Sequence, residues 1–275
     1  MRRGGRGAGW TVGAVLAVGW ALLPVAWILS LSLKAGDDVQ NRRFLPTAWT
    51  LESYRVVFRS ALFTSALRNS IGVSLIATTI SVALATLAAY AIVRLEFRGK
   101  RLVLGMALSV AMFPVISIVG PLFDVWRSVG LYDTWPGLVI PFLSFTLPLS
   151  IWVLAAFLRQ LPWELEEAAL MDGATRWQAF RRVVVPLAAP GVFTAAILTF
   201  LFAWNDFVFG ISLTSTDRAR TVPAALAFFT GASEFQHPAA AIAAAAVVAT
   251  VPVVLLVLLF QRRIVAGLTS GAVKG

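Results

Sequence analysis

Three glutamates, Glu164, Glu166 and Glu167, stand within one short stretch, and Asp172 follows them. Clustered carboxylates can do acid–base work, hold a metal or meet a basic partner, and the rest of the chain decides among these. Cysteine is absent and histidine occurs once, as His237 before Pro238. A thiolate nucleophile, a cysteine-held metal, a histidine-based metal site and a histidine-centred triad are therefore all excluded. No G-x-x-x-x-G-K-[ST] loop occurs, and Gly99-Lys100-Arg101 lacks both the earlier glycine and the hydroxyl, so the chain does not hydrolyse ATP by that route. No catalytic residue and no metal are expected. What remains for the glutamates is a protein partner with a basic or polar groove, since a surface of anionic lipid would repel them.

Asp206, beside Trp204 and Asn205, is the one carboxylate expected inside an apolar stretch. A charge at mid-helix in a bilayer costs about 2.5–3.5 kcal/mol, so its carboxylate must face protein or water. It either lines a solute path or makes a structural hydrogen bond. The surrounding Phe202, Trp204, Phe207 and Phe209 suit a sugar, which offers an apolar ring face and polar edges. Asn69, Ser70, Ser74, Thr78, Thr79 and Ser81 read as helix-packing residues.

The elements that position these residues belong in lipid. Apolar residues make up 59% of the 275 and charged ones 13%, with mean hydropathy +0.83. Six stretches, near 10–33, 69–93, 102–123, 137–158, 190–213 and 239–261, reach the length of about 20 residues that a helix needs to cross the hydrocarbon. The internal prolines Pro114, Pro121, Pro141, Pro148 and Pro252 are expected to be tolerated within them. The fold class is an all-α membrane protein, a polytopic bundle of six transmembrane helices formed by residues 10–275 after a short tail at 1–9. The run from Trp10 to Leu33 is too long for a signal-peptide core and reads as an uncleaved anchor.

With the N-terminus inside, the segments 1–9, 94–101, 159–189 and 262–275 face the cytoplasm and hold 14 of the 23 lysines and arginines. That is the positive-inside bias, moderated by Arg42, Arg43, Arg55 and Arg59 in the first outer loop. Basic runs interleaved with stacking aromatics are missing, so nucleic acid is not an expected partner.

Local rules shape the 159–189 loop. Pro162 suits a first helical turn, and the three glutamates sit at the positive end of the helix dipole. Gly173 is placed to end that helix, and Thr175 with Gln178 forms a capping box opening a second. Trp177, Phe180 and Val184 share a face of the second helix, which Pro186 and Pro190 are expected to terminate. A helix–turn–helix outside the membrane follows.

Glu167, Ala168, Ala169, Asp172, Gly173, Ala174, Val185 and Pro186 together resemble the EAA loop of ABC importer permeases, with Val185 where that family usually has Leu. The resemblance implies a type I importer fold whose cytoplasmic coupling helix docks into a cleft on a separate ATPase, through Glu166, Glu167, Ala168, Ala169, Asp172, Gly173 and Ala174. Leu45 to Tyr54, Gly130 to Thr134, Ala203 to Phe207 and the tail from Gln261 to Gly275 are similar to the carbohydrate branch, the tail to that of the smaller maltose-type permease subunit. Ser53 stands where that branch has Asn. The implied partners are a second permease subunit in a heterodimer, a cytoplasmic ATPase dimer, an extracytoplasmic solute-binding protein and the lipid bilayer. The chain itself would carry no cofactor, ATP being bound by the partner subunits. The implied location is the cytoplasmic (inner) membrane of a prokaryote, with both termini inside. The implied cargo is a sugar or oligosaccharide, with Trp204, Asn205 and Asp206 on its path. Glycerol-phosphate or polyol uptake by the same machinery is the alternative, since Arg218 and Arg220 could favour an anion or dock an acidic binding protein. An ion-coupled transporter would call for inverted repeats and several buried charges, and a membrane enzyme for a clustered acid–base site; neither pattern is evident.

Overall fold

The computed structural model describes residues 5–41, 43–229 and 239–272. Among them the regular elements are all helical: α1 (Gly5–Ser32), a 3-10 turn (Gly36–Gln40), α2 (Glu52–Arg59), α3 (Ala61–Arg94), α4 (Lys100–Ala111), α5 (Val115–Ser128) and α6 (Trp135–Leu158). After these come α7 (Glu164–Met171), α8 (Arg176–Ala179), a π-helical turn (Phe180–Val184), α9 (Val185–Leu187) and α10 (Ala189–Trp204). The last elements are α11 (Val208–Ser212), α12 (Val222–Phe228) and α13 (Ala239–Ala272). His237, Arg42, the first four residues and the last three lie outside the described residues.

Among the described residues five helices are long and apolar enough to cross a membrane: Trp10–Ser32, Ala61–Arg94, Trp135–Leu158, Ala189–Ser212 and Ala239–Phe260. A sixth candidate is a bent pair, Leu102–Ala111 with Val115–Ser128, whose helices meet at 88°, as in a broken span or a re-entrant loop. This corrects the expectation of one continuous helix near 102–123. Pro114 has no amide to donate and disfavours helical backbone before it; here it is extended, at ψ 113°, and caps α5. Pro121, Pro141, Pro148 and Pro252 do lie inside helices. The break also places Asp124 within α5, a second carboxylate in the apolar segments besides Asp206. At the other end of the chain, α1 begins at Gly5, inside the stretch expected as a tail.

The chain groups into two compact units, Met1–Thr64 with Ala225–Pro252 and Ser65–Ala224 with Val253–Gly275. In the first, Val57 and Phe63 are fully buried, and the Phe63 ring meets Phe229 at 5.9 Å. The loop after α1 folds around Lys34, which is buried: its ammonium donates to the carbonyls of Asn41 and Arg43 at 2.9 and 2.7 Å and lies 5.2 Å from the Trp27 ring centre. A buried cation needs such a shell of acceptors. Ser30 donates from its hydroxyl to the Phe44 carbonyl, which closes the loop onto α1.

In the second unit α6 is the central helix. Ser150 on α6 shares hydroxyl hydrogen bonds with Ser81 of α3 (3.3 Å) and Thr199 of α10 (2.7 Å), tying three spans together through small residues. Gly191 permits close approach of α10, since a Cβ there would sit 2.5 Å from Cγ of Phe157. Asn69 is fully buried, donating to the carbonyls of Asp217 and Arg220 and accepting from the Trp135 indole. Asp133 accepts from the amides of Ser215 and Thr216. The segment between α11 and α12 is thus pinned to the starts of α3 and α6.

Asp38 secures the loop after α1 by accepting from the hydroxyl and the amide of Thr47, both at 2.7 Å. Those bonds, the hydroxyl's first, hold its carboxyl below the ordinary value of 3.8. A depressed folded pKa means that this contribution is complete above the unfolded value and is lost as pH falls through the folded one. Hydrogen exchange should show Thr47 amide protection steady at neutral pH and falling only below about 4. Asp38→Asn should remove the pH dependence.

Candidate functional site

The hairpin after α6 is built by backbone hydrogen bonding. At the end of α7 the Gly173 amide donates to the Leu170 carbonyl and the Ala174 amide to the Ala169 carbonyl, both at 3.0 Å, with Gly173 at φ +86°. That is a Schellman stop, which uses a residue without Cβ at the left-handed position. Thr175 accepts from the Gln178 amide at 3.2 Å, and Gln178 accepts from the Thr175 amide at 2.8 Å, forming the capping box that opens α8.

The second arm does not end at Pro186. Helical backbone continues through Phe180–Val184 as a π turn, in which the Val185 amide donates to the Phe180 carbonyl, and through α9 into α10. In an α-helix the Pro186 ring would clash with the carbonyl four residues earlier. The widened turn just before it moves that carbonyl aside, so proline here re-aims the helix instead of stopping it.

Glu166 corrects the expected docking surface. It is buried in the first turn of α7, where its Oε1 accepts from the Tyr90 hydroxyl at 2.6 Å and its Oε2 lies 3.4 Å from Nε of Arg94. Arg94 also donates to the Leu161 carbonyl at 2.9 Å and lies over the Trp163 ring at 4.4 Å. Each charge suits its helix, the cation closing α3 and the anion opening α7. Tyr90 also packs on Phe180 at 4.7 Å, and Phe180 stacks on Trp177 at 5.2 Å. Both arms of the hairpin therefore rest on Tyr90. Neither Tyr90 nor Arg94 is marked in the sequence as a site residue, because Arg94 is indistinguishable there from any charge ending a span.

The remaining docking residues face outward. Glu167, Ala168, Asp172 and Gly173 are exposed, and Ala169 and Ala174 are half-buried. Beside them Met171 is 89% exposed and Trp177 60%, both apolar enough to need a cover.

The three residues expected on a solute path adjoin a break in the fifth span, between α10 and α11. Asp206 accepts from the amides of Phe209 and Gly210 at 3.0 and 3.1 Å, capping α11, and Asn205 donates back to the Leu201 carbonyl at 2.8 Å. Trp204 is buried, stacked on Phe200. The geometry favours the structural hydrogen-bonding role of Asp206.

A family model described as "Binding-protein-dependent transport system inner membrane component" matches residues 81–270. The chain belongs to that family. Among curated relatives of this inner-membrane family, the trehalose transport system permease protein SugB of Mycobacterium tuberculosis is 58% identical over 266 residues, covering 97% of each chain. The trehalose/maltose transport system permease protein MalG of Thermococcus litoralis is 40% identical, covering 96% of this chain and 95% of that one. A crystal structure of a bacterial ABC transporter that imports the acidic polysaccharide alginate shares the fold, with TM-score 0.81 over 95% of this chain and 98% of its own at 24% identity.

Removing one partner of a buried pair strands the other charge, at a cost of about 3–5 kcal/mol. Glu166→Met should lower the thermal unfolding midpoint in detergent, and Arg94→Met combined with Glu166→Met should recover most of the loss. An additive double variant would show that the pair is not coupled.

Proposed function

We propose that this chain is one permease subunit of an ATP-driven importer that carries a sugar or oligosaccharide across the cytoplasmic membrane. Its partners are a second permease, a pair of ATPase subunits that bind and hydrolyse the ATP, and an extracytoplasmic solute-binding protein. The observation that carries this reading is the hairpin, which is anchored inward and open outward. Its buried face holds Glu166 on Tyr90 and Arg94, while Glu167, Ala168, Asp172, Met171 and Trp177 face away. Small Ala168 and Ala169 let a partner's backbone approach closely, and Glu167 offers a charge to a basic groove.

ATP-driven closure of the partner subunits would displace the hairpin as a body and, through Tyr90 and Arg94, move the end of α3. That biases the spans between outward and inward access, each state favoured by its own contacts. The chain supplies no chemistry of its own. The sugar class is supported by the names of SugB and MalG. The break between α10 and α11, with Asn205 exposed beside Trp204, is the proposed contribution to the solute path, since membrane helices interrupt their backbone where it lines a cavity. In this reading both termini face the cytoplasm, as the excess of lysine and arginine in the segments 1–9, 94–101, 159–189 and 262–275 favours.

Affinity purification of the full chain from native membranes in gentle detergent tests this reading. An ATPase and a second permease should copurify with the wild type. Glu167→Lys reverses the docking charge, and Gly173→Val forces a β-branched residue into φ +86°. Both should lose the ATPase while retaining the second permease. ATPase that binds all three chains equally would refute the docking role.

A further inference from the structure

At the hairpin end of α3 and α6 lies a cavity of about 290 Å³, lined by Ile92, Val93, Lys100, Leu104, Arg159 and Trp163. Its volume is close to the lower end of the range of about 300–1,000 Å³ that holds small ligands. Two cations and an indole share it with three aliphatic side chains. Among the described residues neither Lys100 nor Arg159 forms an ion pair with a carboxylate. Lys100 is also the first residue of α4, so the positive end of that helix dipole lies at the cavity. Trp163 is already committed on one side, where the Arg94 guanidinium lies over its ring. Arg94 thus fixes the indole wall.

We infer that this cavity binds the phosphate of an anionic phospholipid headgroup. Lys100 supplies a point charge and Arg159 a planar fork that can hold two phosphate oxygens. The position matches: the cavity sits where α3 and α6 end and α4 begins, the depth at which headgroups lie and tryptophan is enriched. A free phosphate offers the same anion but would leave the half-buried Val93 and Leu104 without an apolar cover. A lipid covers them with its glycerol and upper acyl carbons. A lipid held there would wedge α4 against the ends of α3 and α6, beside the hairpin's own anchor. This inference is independent of the cargo and of the ATPase.

The test is native mass spectrometry of the full chain, delipidated and with whatever subunits copurify, titrated with phosphatidylglycerol, phosphatidylcholine and inorganic phosphate. Wild type should bind phosphatidylglycerol selectively. Lys100→Gln with Arg159→Gln should weaken that binding about 30-fold, taking each cation near a headgroup at its usual strength. Lys100→Arg with Arg159→Lys, which keeps both charges, should retain it. Equal binding of phosphatidylcholine, retention of phosphatidylglycerol by the Gln pair, or its loss from the charge-keeping pair would overturn the inference. Saturation by inorganic phosphate with exclusion of phosphatidylglycerol would overturn the lipid assignment in favour of a soluble anion.

Discussion

A carboxylate and a guanidinium taken out of water together must hold each other, and the position of the hairpin depends on that constraint. Glu166 and Arg94 come from elements far apart in the chain, α7 and the last turn of α3, and both are buried. Desolvating each ion costs several kcal/mol, which only the pairing and its hydrogen bonds offset. At 3.4 Å the contact is longer than a charge-assisted hydrogen bond of about 2.7–2.9 Å, so Tyr90 and the Leu161 carbonyl supply the short bonds instead. The pair is therefore better understood as a device for position than as a source of net stability. It specifies where α7 sits on α3, and any slip of the hairpin would bury an unpaired charge.

From that anchor the rest of the hairpin follows. The Schellman stop at Gly173 and the capping box at Thr175 turn the chain within a few residues, so α8 returns over the same end of α3. Phe180 then packs against the Tyr90 ring. The π turn before Pro186 lets the returning arm flow into α10 without a loop. Force applied to the outer face of the hairpin thus reaches two membrane helices by stiff routes, α3 through side chains and α10 through continuous backbone. Packing within the second unit is of the same character: hydroxyls on α3, α6 and α10 meet directly, and glycine admits Phe157. Such contacts move as blocks because close-packed interiors do not deform smoothly.

Much of this was legible in the residues. Apolar length located the membrane crossings, and Gly173, Thr175 and Gln178 announced the turn, because these are local rules that act within a few residues. The prolines depart from their average behaviour in membrane helices: Pro114 interrupts the apolar stretch and Pro186 does not end its helix. In each case the outcome turned on geometry around the ring, extended backbone in one and a widened turn in the other. Sequence alone sets Glu166 outward with Glu167, because neighbours in sequence look alike. Successive residues on a helix point about 100° apart, so one glutamate faces Tyr90 while the next faces solvent. Nothing local could have named Arg94 as its partner, since that contact spans the length of α4, α5 and α6.

The central claim is that the exposed crest of this hairpin is the surface an ATPase grips. The chain has no cysteine of its own, and Met171 at the crest is 89% exposed, so Met171→Cys creates a single reporter. Native membranes carrying this variant should be treated with a short thiol-to-amine crosslinker and the products identified by mass spectrometry. The account predicts a crosslink between position 171 and a nucleotide-binding subunit, with a yield that changes when ATP is trapped. A position 171 that reacts freely with a soluble thiol reagent but joins no such subunit would contradict it.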